Sequence, residues 1–199
     1  MTEGRDKPDG ITPSQTVGPY FAYSLTPGSR YAFATLAGDD LVTDDAVGER
    51  IVVTGRVTDG DDNPVPDAMI EIWQADGTGR YPDARTGANA AFTGFGRSET
   101  LDGGTFRFRT VKPGAAPGET RSAPHINVGV FARGILRRMF TRIYFEDEAA
   151  NSDDAALALV PAERRATLIA RRDGTDGNLP RYVFDIRLQG DDETVFFEA

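Results

Sequence analysis

Glycine, proline and aspartate cut the chain into short alternating runs, and this punctuation most limits what it can fold into. Ile51, Val53, Gly55 and Val57 alternate with Val52, Thr54, Arg56 and Thr58, the period of two of a strand with one buried face. Asp59-Gly60 and Asn63-Pro64 mark a turn. Met69 to Trp73 then resumes the alternation, so 51–73 is expected to form a hairpin. Phe106 and Phe108 share one face of a further strand, with Arg107 and Arg109 on the other. Strands are expected again at 125–131, 141–146 and 181–188, the last with Tyr182, Phe184, Ile186 and Leu188 on one side. Short strands at this density predict a mainly β fold, an antiparallel β-sandwich. One helix is expected over 161–172, opened by Pro161 and ended by Gly174, with a shorter helical piece at 153–159. The acidic, weakly patterned stretch 32–49 is expected to be a surface excursion.

No repeat, low-complexity tract or linker divides the 199 residues, so one domain is expected. Residues 1–30 read as an N-terminal arm of that domain, and 31–199 as its body. The arm carries Pro13, Gly18 and Pro19, which favour an extended or turning path; composition leaves open whether it packs on its own body or reaches a partner. The charge sum is 22 − 31 = −9. Such a surface repels phosphate backbones and argues against nucleic acid as a partner. With no cysteine there is no disulfide, thiolate metal site or cysteine nucleophile. No run is long and apolar enough for a membrane helix, and Met1–Gly10 lacks the apolar core of a signal peptide. A cytoplasmic protein with no membrane partner is expected.

Few residues offer chemistry. His125 is the single histidine, so any mechanism needing two imidazoles within this chain is excluded. On a strand, His125 and Asn127 point the same way while Ile126 and Val128 enter the core. Two histidines at that spacing would clamp a metal, but an amide is a weak donor for a transition metal. A hydrogen-bonded structural role for His125 stays open beside the ligand role. Tyr81 could supply a hard phenolate oxygen to ferric iron, or pack its ring at a turn. Arg133 at a strand end could hold a carboxylate with two N–H groups. The pairs Gly77/Gly79 and Gly94/Gly96 read as turns rather than phosphate loops. No strained nucleophile turn accompanies His125 to suggest a serine triad.

Four stretches taken together resemble one family: Thr12 to Tyr20; Glu71 to Asp76 with Gly79-Arg80-Tyr81; Phe106 to Gly114; and Ala123 to Asn127 running on to Thr141–Phe145. Their order and spacing are similar to those of the intradiol aromatic-ring dioxygenases, from about residue 12 to the closing Thr194–Glu198. The resemblance implies that family's β-sandwich. It also implies a work-sharing pair of related chains, in which an iron-bearing beta subunit holds non-haem Fe(III) with two tyrosines and two histidines. On that pattern Tyr81 and His125 fall on one ligand of each kind, Ala116 (in Ala115-Ala116) on the second tyrosine and Asn127 on the second histidine. Ser122 falls on the family's arginine, with Arg121 one position off, and Arg142 falls on its glutamine.

The resemblance therefore implies the iron-free alpha-type chain. Such a chain binds no cofactor, has no catalytic residue of its own and is inactive alone. It would assemble with the beta subunit into a higher αβ oligomer. Thr16, Gly18, Pro19 and Arg133 would help to bind protocatechuate in a shared pocket, where ring cleavage with O2 gives 3-carboxy-cis,cis-muconate. Two alternatives stand beside it. Gly55–Ala68 also looks like the hairpin of a transthyretin-like binding or structural module, and Tyr81 with His125 and an outside donor would make a self-sufficient metalloenzyme.

Overall fold

The computed structural model describes residues 24–27, 35–83, 92–101, 103–118 and 121–198. β1 (Arg50–Thr58) is the central strand of one layer, with Ile51, Val53, Gly55 and Val57 buried along one face. It pairs antiparallel with β4 (Thr105–Val111) and parallel with β8 (Leu179–Val183) and the short β9 (Ile186–Arg187). The other layer runs β3 (Phe95–Glu99), β2 (Met69–Gln74), β5 (Ile126–Phe131) and β6 (Met139–Phe145), antiparallel throughout. β7 (Ile169–Asp176) joins the layers, pairing parallel with β6 through Tyr144 and Phe145 and antiparallel with β8. The sheet is thus mixed, with parallel pairings added to the expected antiparallel ones.

The facing sides of the two layers enclose one core. Ile70, Ile72, Ile126, Val128 and Ile143 meet Ile51, Val53, Phe106, Phe108 and Tyr182 there. Burial of this apolar surface is the main favourable term in the fold. A polar tie crosses it. Gln74 is fully buried, donates to the Val111 carbonyl at 2.8 Å and accepts from the Thr110 hydroxyl at 2.8 Å. A smaller cluster of Ala123, Tyr144, Leu157, Val160 and Leu168 covers the outer side of β6. It draws on two short pieces, the α-helix Ala155–Leu159 through Leu157 and the 3-10 turn Ala162–Leu168 through Leu168. No helix among the described residues is long and apolar enough to cross a membrane.

Several expectations are corrected. The chain does reverse after β1, where Val65 N–H bonds the Val57 carbonyl, but 51–73 is not a hairpin. β4 and β8 occupy both edges of β1, so β2 crosses to the other layer. The helix expected over 161–172 is a 3-10 turn that ends at Leu168. Ile169 and Ala170 find strand partners in Tyr144 and Phe145, and tertiary pairing overrides helix propensity. Gly174, at φ +65°, sits within β7 rather than capping a helix. The strand expected at 181–188 breaks at Phe184–Asp185, because the Asp185 carboxylate accepts the Arg56 N–H at 2.9 Å. In the acidic stretch, Leu41 is buried and its N–H bonds the Arg109 carbonyl at 2.8 Å. The rest of the described stretch, 35–49, is largely exposed, as expected of a surface excursion, and Leu41 anchors it to the β4 edge.

Candidate functional site

The turn after β2 delivers Tyr81. Asp76 is buried at 4% exposure, and its Oδ1 accepts from the Thr78 N–H and hydroxyl and from the Arg80 N–H, at 2.8, 2.7 and 3.1 Å. This is a side-chain-closed turn of the kind aspartate favours. Gly79 within it has φ +81°, and a Cβ there would stand 1.8 Å from the Ala115 carbonyl oxygen. Only glycine lets the Tyr81 turn approach the Gly114–Ala116 segment so closely. Tyr81 then stacks on Trp73, ring centroids 5.7 Å apart.

His125 enters from the other side, just ahead of β5. Its Nδ1 lies 2.8 Å from the Ala123 carbonyl oxygen, so this nitrogen carries the proton. Its ring packs 5.6 Å from that of Tyr144. A strand step further on, Asn127 donates through Nδ2 to the Trp73 carbonyl at 3.2 Å and to the Tyr81 hydroxyl at 3.3 Å. Tyr81, Ala116, Ser122 and His125 share the wall of a cavity of about 10 Å³, about the space one water needs. The structure thus gathers Tyr81, Ala116, His125 and Asn127 into one place.

Beneath this site lies a network that sequence reasoning missed. Asp154 caps the helix Ala155–Leu159 by accepting the Leu157 N–H at 2.8 Å, and its other oxygen accepts the Ala123 N–H at 2.8 Å. The Tyr144 hydroxyl donates to Asp154 at 3.1 Å and accepts from Arg142 at 3.3 Å. Burial pushes the Tyr144 hydroxyl up to about 12, so it keeps its proton at neutral pH. Burial also opposes the charge on Asp154, but the Leu157 and Ala123 amides and the Tyr144 hydroxyl outweigh it and hold that carboxyl below its ordinary value. Asp154 standing directly before a helix was the one available signal.

These residues do not fit a ferric ion. Ala116 offers no donor, Asn127 turns its NH₂ toward Tyr81, and only a phenol and one imidazole remain. Among the described residues no cluster of three or more His, Cys, Asp or Glu is placed to hold a metal. Trivalent iron needs more charge and more donors than this set supplies.

Arg133 stands apart. It is exposed, follows buried Ala132 and precedes Gly134, six residues from Asn127 and hence about 20 Å away along the strand direction. Thr16, Gly18 and Pro19 lie outside the described residues, as does most of the expected arm.

A sandwich of this topology, which gathers a phenol, an imidazole and an amide between β2 and β5, is similar to a family of oxygenases. Residues 18–190 match the family model described as Dioxygenase, and the chain belongs to the intradiol dioxygenase family. It is 52% identical over 193 residues to the protocatechuate 3,4-dioxygenase alpha chain of Burkholderia cepacia, a match covering 94% of this chain and 97% of that one. The protocatechuate 3,4-dioxygenase beta chain of Burkholderia cepacia is 39% identical over 161 residues, 74% of this chain and 68% of that one. Among solved structures, the dioxygenase domain of a dioxygenase–carbohydrate-binding fusion from Streptomyces sp. SirexAA-E matches with TM-score 0.60 and 29% identity, covering 79% of this chain and 92% of that one. The family match spans Gly55–Ala68 as well, and it replaces the transthyretin-like alternative for that segment.

Proposed function

We propose that this chain is the iron-free, alpha-type subunit of a protocatechuate 3,4-dioxygenase, and that it completes a substrate pocket on an iron-bearing beta-type partner. One observation carries the proposal. The positions on which the resemblance puts the family's iron ligands lie close together here: Tyr81, Ala116 and His125 line one small cavity, and the Asn127 amide bonds the Tyr81 hydroxyl. A cavity of about 10 Å³ has no room for a catechol. The similarity to both an alpha and a beta chain fits a pair of related subunits assembled as a higher αβ oligomer.

On this reading the chemistry lies in the partner. Non-haem Fe(III) held by that partner would supply the chemistry by which O2 cleaves protocatechuate between its two hydroxylated carbons, giving 3-carboxy-cis,cis-muconate. The present chain contributes shape, exclusion of water and charge. Thr16, Gly18 and Pro19 wall the pocket, and Arg133 offers its guanidinium to the substrate's carboxylate. Arg133 is suited to this by its exposure and its distance from its own chain's closed site. A cytoplasmic address, expected from the sequence, goes with the proposal.

Purification of the chain with and without a beta-type partner is the test. The expected result is a stoichiometric, iron-containing assembly that cleaves protocatechuate, with no turnover by the chain alone. Tightly bound stoichiometric iron with a tyrosinate charge-transfer band in the isolated chain would overturn the proposal. So would a chain that stays indifferent to the partner.

A further inference from the structure

The antiparallel register of β2 and β5 pairs Met69 with Phe131. One strand step beyond that last pair, the same register sets Asp67 opposite Arg133. Both backbones are pinned there. Ala68 N–H bonds the Thr100 hydroxyl and Thr100 N–H bonds the Ala68 carbonyl, each at 2.8 Å. Across the gap, Ile135 N–H closes a turn onto the Ala132 carbonyl at 3.2 Å, and Gly134 takes φ +85°. The side chains then meet, with Arg133 Nε 3.1 Å from Asp67 Oδ2.

This pair is unequal. The Arg133 side chain is 70% exposed and that of Asp67 23%. Asp67 Oδ2 is itself buried and has no aligned hydrogen-bond donor, so the guanidinium charge is what offsets its desolvation. Asp67 therefore holds the Nε side of Arg133. Among the described residues neither Nη group has a hydrogen-bond partner, and the side chain is mostly exposed; this planar edge is free to bind a carboxylate with two parallel hydrogen bonds.

We infer that Asp67 is a positioning residue for Arg133, fixing the guanidinium so that its Nη edge meets the carboxylate of an aromatic acid bound in the partner's pocket. The inference rests on the reading of Arg133 given above and deepens it. Asp67 touches no substrate. Its contribution is to order a long, otherwise free side chain before the substrate arrives.

The test measures Asp67→Asn and Asp67→Ala against the parent in the assembled holoenzyme. Both remove the charge that holds Arg133. Losing a negative charge near an anionic substrate would by itself lower KM, so a rise reports the freed guanidinium. KM for protocatechuate is expected to rise about 2- to 12-fold in both variants, the range that follows from freeing one side chain. kcat should change little. The inhibition constant of catechol, which lacks the carboxylate, should stay at the parent's value. An unchanged or lower KM would overturn the inference, and a parallel rise in the catechol constant would reduce Asp67 to a structural role. Arg133→Ala separates the two layers of argument. If it leaves KM unchanged, the assignment of Arg133 fails; if it raises KM while the Asp67 variants do not, only the positioning role fails. Should Asp67→Ala not assemble, the nearly isosteric Asp67→Asn carries the same criterion.

Discussion

Asp154 concentrates more of the site's order than any residue that bears its chemistry. One carboxylate caps a helix, fixes the N–H of Ala123 and receives the Tyr144 hydroxyl, and Ala123 in turn orients His125 through its carbonyl. The carboxyl lies below its ordinary value in the folded chain. A depressed pKa means that the stabilisation is present above the unfolded value, about 3.9 for aspartate, and is lost as pH falls through the folded one. Asp154→Ala should therefore cost about 2 kcal/mol at pH 7, from a lost cap and stranded buried donors. Urea unfolding of the two proteins should show that gap narrowing on the acid side. A gap that stays constant from pH 7 to strongly acid conditions would remove the carboxylate's charge from the explanation.

At the scale of elements, Gly55 shows how tightly the strands are laid together. A Cβ on it would lie 1.8 Å from the Phe184 carbonyl oxygen and 2.6 Å from the Phe106 ring. The first of these is backbone and cannot swing aside. Gly55→Ala should destabilise the fold by about 3 kcal/mol, the upper end of overpacking costs, read as a lower denaturation midpoint at unchanged slope. A midpoint equal to the parent's would mean that β1 and the 184–185 break can separate freely. The same strand shows what the sequence could tell. Its alternation was legible, as were the buried faces of Phe106 with Phe108 and of Ile126 with Val128, because side-chain period follows from strand geometry alone. Which strands pair was not legible. The reversal after Thr58 looks like a hairpin until β4 and β8 are known to take both edges of β1, and Ile169–Arg172 favours helix locally until β6 and β8 offer it partners. The candidate site divides in the same way. Tyr81, His125 and Asn127 were visible as residue types at suggestive spacings, whereas Asp67 opposite Arg133 exists only through the register of two strands.

At the scale of the whole molecule, stability and proposed function fall on different parts of the chain. The main core is supplied by β1, β2, β4, β5, β6 and β8, all of which begin at or after Arg50. The proposed pocket contribution comes from Thr16, Gly18 and Pro19 together with Arg133. A net charge of −9 repels an anionic substrate at long range, so binding depends on local cations and on water being kept from them. Removing residues 1–19 should therefore leave the melting temperature of the isolated chain within a few degrees of the parent's, since none of the described core strands is touched, yet lower kcat/KM for protocatechuate in the assembled enzyme by about tenfold or more, as expected when ordered groups around a substrate are lost. Subunit stoichiometry, measured alongside, distinguishes a defective pocket from a failed assembly. Full turnover by a stoichiometric assembly lacking these residues would take the arm out of the pocket, leaving Arg133 as this chain's remaining proposed contact with substrate.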